Sequence, residues 1–126
     1  DIIDDIHEPK LEFVTAIRYA TFLEKLSLEK LSLEKPEIKK AEAINTAKSL
    51  YLECLEKAKN DPALAELQDF VYQHLGKCCM RRGEFTEALE YLNLALELRL
   101  KKNKEELVDS TQLAITVCET KKRSLN

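Results

Sequence analysis

Apolar side chains recur every three or four positions along most of the chain. This spacing places them on one face of an α-helix, so it predicts amphipathic helices rather than strands. Proline, glycine or asparagine interrupts the pattern at Pro36, Pro62, Gly83 and Asn103, where helices are expected to begin or end. The pattern therefore predicts five helices, at about 9–28, 36–59, 62–82, 85–102 and 104–122.

The pentamer Leu-Ser-Leu-Glu-Lys occurs twice in succession over 26–35. Its alternation of leucine with polar residues is compatible with a strand. Helix-forming residues dominate it, however, and no second strand is predicted that would pair with it. We interpret the duplication as an extension of the first helix or as an inserted linker.

The composition agrees with an all-α fold, because two glycines and three prolines among 126 residues are too few for the turns of a sandwich or barrel. Apolar residues make up 44% and charged residues 34%, as in a globular chain rather than a disordered one. The length suits a single domain over 1–126. The chain begins without Met, so we expect a fragment of a longer protein, or a processed one.

The charge balance gives little support to nucleic-acid or membrane binding. The net charge is −3, and the basic clusters at 101–104 and 121–123 fall where cations stabilise the ends of helices. No apolar run approaches the roughly 20 residues of a membrane-spanning helix. We expect no membrane partner, and nucleic acid remains a minor alternative.

The cysteines do not have the spacing of a metal site. A structural zinc site needs two pairs of closely spaced ligands, and this chain has one adjacent pair and two isolated residues. We expect no metal, and buried, reduced thiols in a reducing, cytoplasmic compartment. The four residues are Cys54, Cys78, Cys79 and Cys118.

Candidate catalytic groups are equally sparse. His7-Glu8 resembles the start of a metalloprotease motif, but the second histidine is missing. His74 falls mid-helix beside Tyr72 and Leu75, which suits a groove or surface histidine better than a catalytic base. Because no phosphate-binding loop or nucleophile elbow occurs, the sequence predicts a non-enzymatic protein without a cofactor.

The segment 69–102 combines aromatic, large apolar and small residues in one pattern, namely Tyr72, Leu75, Gly76, Gly83, Phe85, Ala88, Leu92 and Ala95. This pattern resembles one unit of the tetratricopeptide repeat (TPR) family, which pairs two helices in about 34 residues. Small residues in the pattern let the paired helices approach closely, and glycine lets the chain turn with a positive φ. The chain departs from the family at Cys79, where an aromatic residue is usual, and at Leu100, where proline is usual.

The flanking segments match the family more weakly. Ala47, Tyr51 and Cys54 repeat the spacing found in the second helix of the clear unit, so 36–59 resembles the back helix of an earlier unit. The fifth helix would open a third unit or cap the array. The resemblance thus implies antiparallel helical hairpins in a short, right-handed TPR-like array.

The resemblance also implies a binding site, because the first helix of each TPR unit lines a concave groove that receives a peptide or helix. Lys77 and Arg81 would suit acidic ligand groups, and Met80 an adaptable apolar contact. The alternative is that these are ordinary surface residues. Lys77 stands where the chaperone-binding branch has Asn, which argues against that specialised role. The groove residues predicted in this way are Phe70, Gln73, Lys77, Met80 and Arg81.

Two functions follow as expectations. The first is a protein–protein interaction module, a scaffold or adaptor that holds a peptide or helix of another protein in its groove. The second is a structural or oligomerisation segment of a larger complex, with self-association through exposed ends of the array.

Overall fold

The computed structural model describes residues 9–28 and 36–125. In these ranges every secondary-structure element is helical, so the predicted all-α class is confirmed. A short 3₁₀-helix, Pro62–Leu67, precedes the third of five α-helices. These are α1 (Pro9–Leu28), α2 (Pro36–Asn60), α3 (Gln68–Arg81), α4 (Phe85–Lys101) and α5 (Glu105–Ser124).

The predicted boundaries agree with the structure to within two residues, except at the start of the third helix. The prediction of an α-helix from position 62 was wrong, because 62–67 winds as a 3₁₀-helix. Asp61 sets this tighter turn: its carbonyl accepts the Leu64 N–H at 2.9 Å, and its carboxylate accepts the Ala63 N–H at 2.9 Å. The second pentamer of the duplication and His7-Glu8 lie outside the described residues.

The chain divides into two compact units, Asp1–Glu66 and Leu67–Asn126. In the first unit, α1 and α2 pack along each other. The Tyr51 hydroxyl donates a hydrogen bond to Glu24 Oε2 (3.2 Å) and shares another with Thr21 Oγ1 (3.1 Å). The buried apolar residues of these two helices are Phe13, Ala20, Ala47, Tyr51, Cys54, Leu55 and Ala58.

In the second unit, α3 and α4 form an antiparallel hairpin, and α5 packs against both. Gly83 turns the chain between α3 and α4 with a φ of 78°, a conformation that glycine adopts without steric cost. The rings of Tyr72 and Tyr91 stack across the hairpin with their centroids 6.2 Å apart. Next to this hairpin, α5 runs antiparallel to α4, since the Cys118 thiol reaches the Phe85 carbonyl at 3.6 Å.

Gly76 lies where α3 packs tightly against α4. A Cβ atom at this position would lie 2.6 Å from Leu92 Cδ2 and 3.3 Å from the Ala88 carbonyl oxygen. Ala88, Leu92 and Ala95 are fully buried on α4. A side chain at position 76 would therefore displace Leu92 from its packing against α3.

All four cysteines carry buried thiols. Burial raises the pKa of Cys118 and of Cys54 above the ordinary value for a thiol, because the thiolate is poorly solvated there. Among the described helices, none combines the length and the apolar character needed to cross a bilayer.

Candidate functional site

A groove runs between α3 and α5, on the side of both helices that α4 leaves uncovered. Its cavity has a volume of about 370 Å³. We call it the α3–α5 groove. Its lining residues are Lys77, Met80 and Arg81 of α3, and Ser110, Leu113, Ala114, Val117 and Lys121 of α5.

The groove follows from the helical spacing of its residues. The α3 residues lie three and four positions after Lys77, and the α5 residues lie three, four, seven and eleven positions after Ser110, so each set forms a stripe along one side of its helix. The adjoining stripes are buried: Cys79 of α3 packs in one cluster with Ala114 and Cys118 of α5. This cluster holds the two helices side by side. Of the eight lining residues, Ala114 is itself buried in the cluster and Met80 is partly buried, whereas the other six are exposed.

The groove combines exposed apolar side chains with positive charge. Leu113 is 66% exposed and Val117 38% exposed, although both are large and apolar. Lys77, Arg81 and Lys121 lie around them, and the eight lining residues include no carboxylate. An exposed apolar patch with charged edges is typical of a protein-binding surface.

The structure brings together three of the five groove residues predicted from the sequence, namely Lys77, Met80 and Arg81. Gln73 is only 5% exposed, and its Oε1 accepts a hydrogen bond from the Thr111 hydroxyl at 2.8 Å. The half-buried Phe70 lies beneath two cations, with Arg99 Cζ at 5.1 Å from the ring centroid. Gln73 thus contacts α5, and Phe70 lies against the two cations at the end of α4; neither residue lines the groove.

A buried polar network joins α3, α4 and α5 and includes the contact between Gln73 and Thr111. Arg99 Nε donates to Asp69 Oδ2 at 2.9 Å, and both side chains are almost fully buried. Lys102 Nζ donates to the other Asp69 oxygen at 2.6 Å. Arg99 also donates to Thr111 Oγ1 at 2.9 Å, so α5 is held by the same guanidinium that binds α3. The network fixes the position of α5, and with it one wall of the groove.

Sequence reasoning missed this network, although a signal was present. Ala88, Leu92, Ala95 and Arg99 follow one another at intervals of four, three and four, so Arg99 continues the buried stripe of α4. A charged residue in the buried phase of a helix needs a partner of opposite charge. Asp69 occupies the buried phase of α3 in the same way.

A second grouping of polar atoms lies at the hairpin turn. The ligand atoms of Cys79, Glu84 and Glu87 lie within 4.8 Å of one another. Glu84 also accepts a charge-assisted hydrogen bond from Arg82, and this bond raises the pKa of the guanidinium. A structural zinc site takes four protein ligands, and this grouping offers three, one of them a cysteine packed in the apolar cluster.

Comparison with protein-family models, curated proteins and solved structures finds no match for this chain.

Proposed function

We propose that the chain is a non-enzymatic, TPR-like interaction module whose α3–α5 groove binds an acidic amphipathic helix or peptide of another protein. One observation carries this proposal: exposed Leu113 and Val117 lie among three cations in a groove lined by no carboxylate. A ligand with apolar side chains flanked by Glu or Asp would bury the apolar patch and neutralise the charge.

The course of the helices supports the TPR-like part of the proposal. In the resembling segment, α3 and α4 are joined by three residues that include Gly83. Gln73 of α3 contacts Thr111 of α5, and the later residues Arg81 of α3 and Lys121 of α5 line the same groove. Because the contacts advance in the same direction along both helices, α5 runs parallel to α3. A following unit of a TPR array would place its first helix in this way.

The groove is also built on a rigid support. The Asp69–Arg99–Thr111 network and the Gly76–Leu92 contact fix the three helices relative to one another. A groove that is already formed before binding loses little conformational entropy when the ligand arrives, so more of the contact energy contributes to affinity. The buried thiols favour a reducing, cytoplasmic location for such a module.

The charge of the ligand provides the test. The probe is a fluorescein-labelled amphipathic helical peptide of Leu, Ala and Glu, compared with the same peptide carrying Lys in place of every Glu. Fluorescence anisotropy should show binding of the Glu peptide to the wild-type chain, and Lys77→Glu/Lys121→Glu should reverse the preference in favour of the Lys peptide. Both lysines are exposed, so the exchange should leave the fold intact.

A matched control separates a groove effect from an effect of net charge. Lys104→Glu/Arg123→Glu changes the net charge equally, at exposed positions outside the groove. This control should keep the preference for the Glu peptide. Equal binding of the two peptides by the wild-type chain, or loss of preference in the control alone, would contradict the proposal.

A further inference from the structure

A second exposed apolar surface lies on α4, which contributes no residue to the lining of the α3–α5 groove. It forms a shallow depression of about 520 Å³, which we call the α4 outer face. Leu94 is 40% exposed and Leu100 53% exposed there. The lining residues are Glu90, Asn93, Leu94, Leu96, Glu97 and Leu100.

The charges of the α4 outer face are opposite to those of the groove. Glu90 and Glu97 are seven residues apart, which places them on one side of α4 about 10.5 Å apart along its axis. Leu94 lies between them on the same stripe. The six lining residues include two carboxylates and no cation, whereas the groove includes three cations and no carboxylate.

The α4 outer face therefore has the properties proposed above for the groove's ligand: a helix with exposed leucines flanked by glutamates. We propose that the groove of one molecule binds the α4 outer face of a second copy of this chain. The inference rests on the proposed function, because it names the acidic helix that the groove receives. Charge complementarity selects the second copy, with Lys77 and Lys121 opposite Glu90 and Glu97.

Such a contact joins two different surfaces of the same molecule, so it is heterologous. Each bound copy still presents a vacant groove at one end and a vacant outer face at the other. Successive copies then add head to tail. Both surfaces are small and are rimmed by charge, so the association should be weak and should weaken further as salt screens the charges.

Sedimentation equilibrium of the full chain, over a range of protein and salt concentrations, tests this inference. The wild-type chain should show a mass that rises with protein concentration and falls with added salt. The groove variant Lys77→Glu/Lys121→Glu and the face variant Glu90→Lys/Glu97→Lys should each associate about tenfold more weakly or worse. The control Lys104→Glu/Arg123→Glu should associate as the wild type does.

Mixing the two variants gives the sharpest outcome. The face variant keeps an intact groove and the groove variant keeps an intact outer face, so one interface remains complementary. In the other possible pairing, the groove variant's glutamates meet the face variant's lysines, so the charges are exchanged but still opposite. The mixture should regain association that neither variant shows alone. The chain with all four substitutions has the wild-type net charge and should also associate.

A wild-type chain that stays monomeric at every concentration would overturn the inference, as would mixed variants that do not associate. The peptide titration keeps the two proposals apart. A monomeric chain that still prefers the Glu peptide leaves the proposed function standing and assigns the groove to a different acidic protein. A chain that binds neither itself nor the Glu peptide removes both proposals.

Discussion

Arg99 of α4 and Asp69 of α3 form an ion pair, 2.9 Å between Nε and Oδ2, in which both side chains are withdrawn from solvent. The same guanidinium reaches Thr111 of α5. One side chain thus connects all three helices of the second unit. The position of the groove depends on this connection, because α5 supplies five of its eight lining residues.

Replacing Arg99 should strongly destabilise the second unit. Arg99→Met leaves the buried Asp69 carboxylate with Lys102 and removes the bond to Thr111. Removal of one partner from a buried ion pair costs about 3–5 kcal/mol, so we expect a loss of about 3 kcal/mol in the free energy of unfolding. Urea denaturation followed by circular dichroism measures it. Exposed Arg123→Met should stay within about 0.5 kcal/mol of the wild type, and a similarly small effect of Arg99→Met would contradict the account.

Thr111 should matter for its hydroxyl rather than for its shape. Thr111→Val keeps the side-chain volume but removes the partner of both Arg99 and Gln73, which costs about 1–3 kcal/mol when buried polar groups lose a hydrogen bond. Thr116→Val on the same helix removes only a bond to the Gln112 carbonyl at the surface. The difference between the two unfolding free energies isolates the network. Equal values would show that Thr111 contributes only packing.

Gly76→Ala should destabilise the hairpin although alanine favours helices. The new Cβ would lie 2.6 Å from Leu92 Cγ and Cδ2, so Leu92 must shift. Overpacking of this kind costs about 1–3 kcal/mol, which exceeds the gain of about 1 kcal/mol in helix propensity. In a Leu92→Ala background the same substitution should be close to neutral. A double-mutant cycle, in which thermal unfolding is measured for the wild type, the two single variants and the double variant, gives this coupling. Additive effects would exclude the Gly76–Leu92 contact as the cause.

Stability should fall at alkaline pH because burial raises the pKa of Cys118 and Cys54. Above the pKa of an exposed thiol, about 8.5, the unfolded chain loses these protons while the folded chain retains them. The unfolded state is then favoured progressively, so the stabilisation is complete below about pH 8 and declines as the pH rises further. Denaturation between about pH 7 and pH 9.5 should show this decline, and Cys54→Ala/Cys118→Ala should reduce its slope. An unchanged slope would assign the decline to other groups.

The sequence predicted the helices well because their signals are local. Pro36 and Phe85 begin α2 and α4 where the apolar periodicity placed them, and Gly83 lies in the turn. The 3₁₀-helix was missed because it depends on how the backbone and side chain of Asp61 accept hydrogen bonds. Periodicity alone does not distinguish a 3₁₀-helix from an α-helix over as few as six residues.

The candidate site was predicted only in part, because half of it depends on contacts distant in sequence. Lys77, Met80 and Arg81 share a stripe of α3 that can be read from their spacing. Leu113 and Val117 could be assigned to the same groove only once α5 was known to run beside α3. Gln73 was expected in the groove, but Thr111, 38 residues later, holds it in the interior.

The most direct test of the groove is to locate the bound ligand residue by residue. In ¹⁵N-resolved NMR spectra of the chain, titration with the Glu peptide should shift or broaden the amides of Lys77, Met80, Leu113, Val117 and Lys121. The amides of Gln112, Thr116 and Glu119, exposed on α5 outside the groove lining, should remain unchanged. Changes centred on Gln112, Thr116 and Glu119, or spread evenly over the surface, would contradict the assignment of the α3–α5 groove as the binding site.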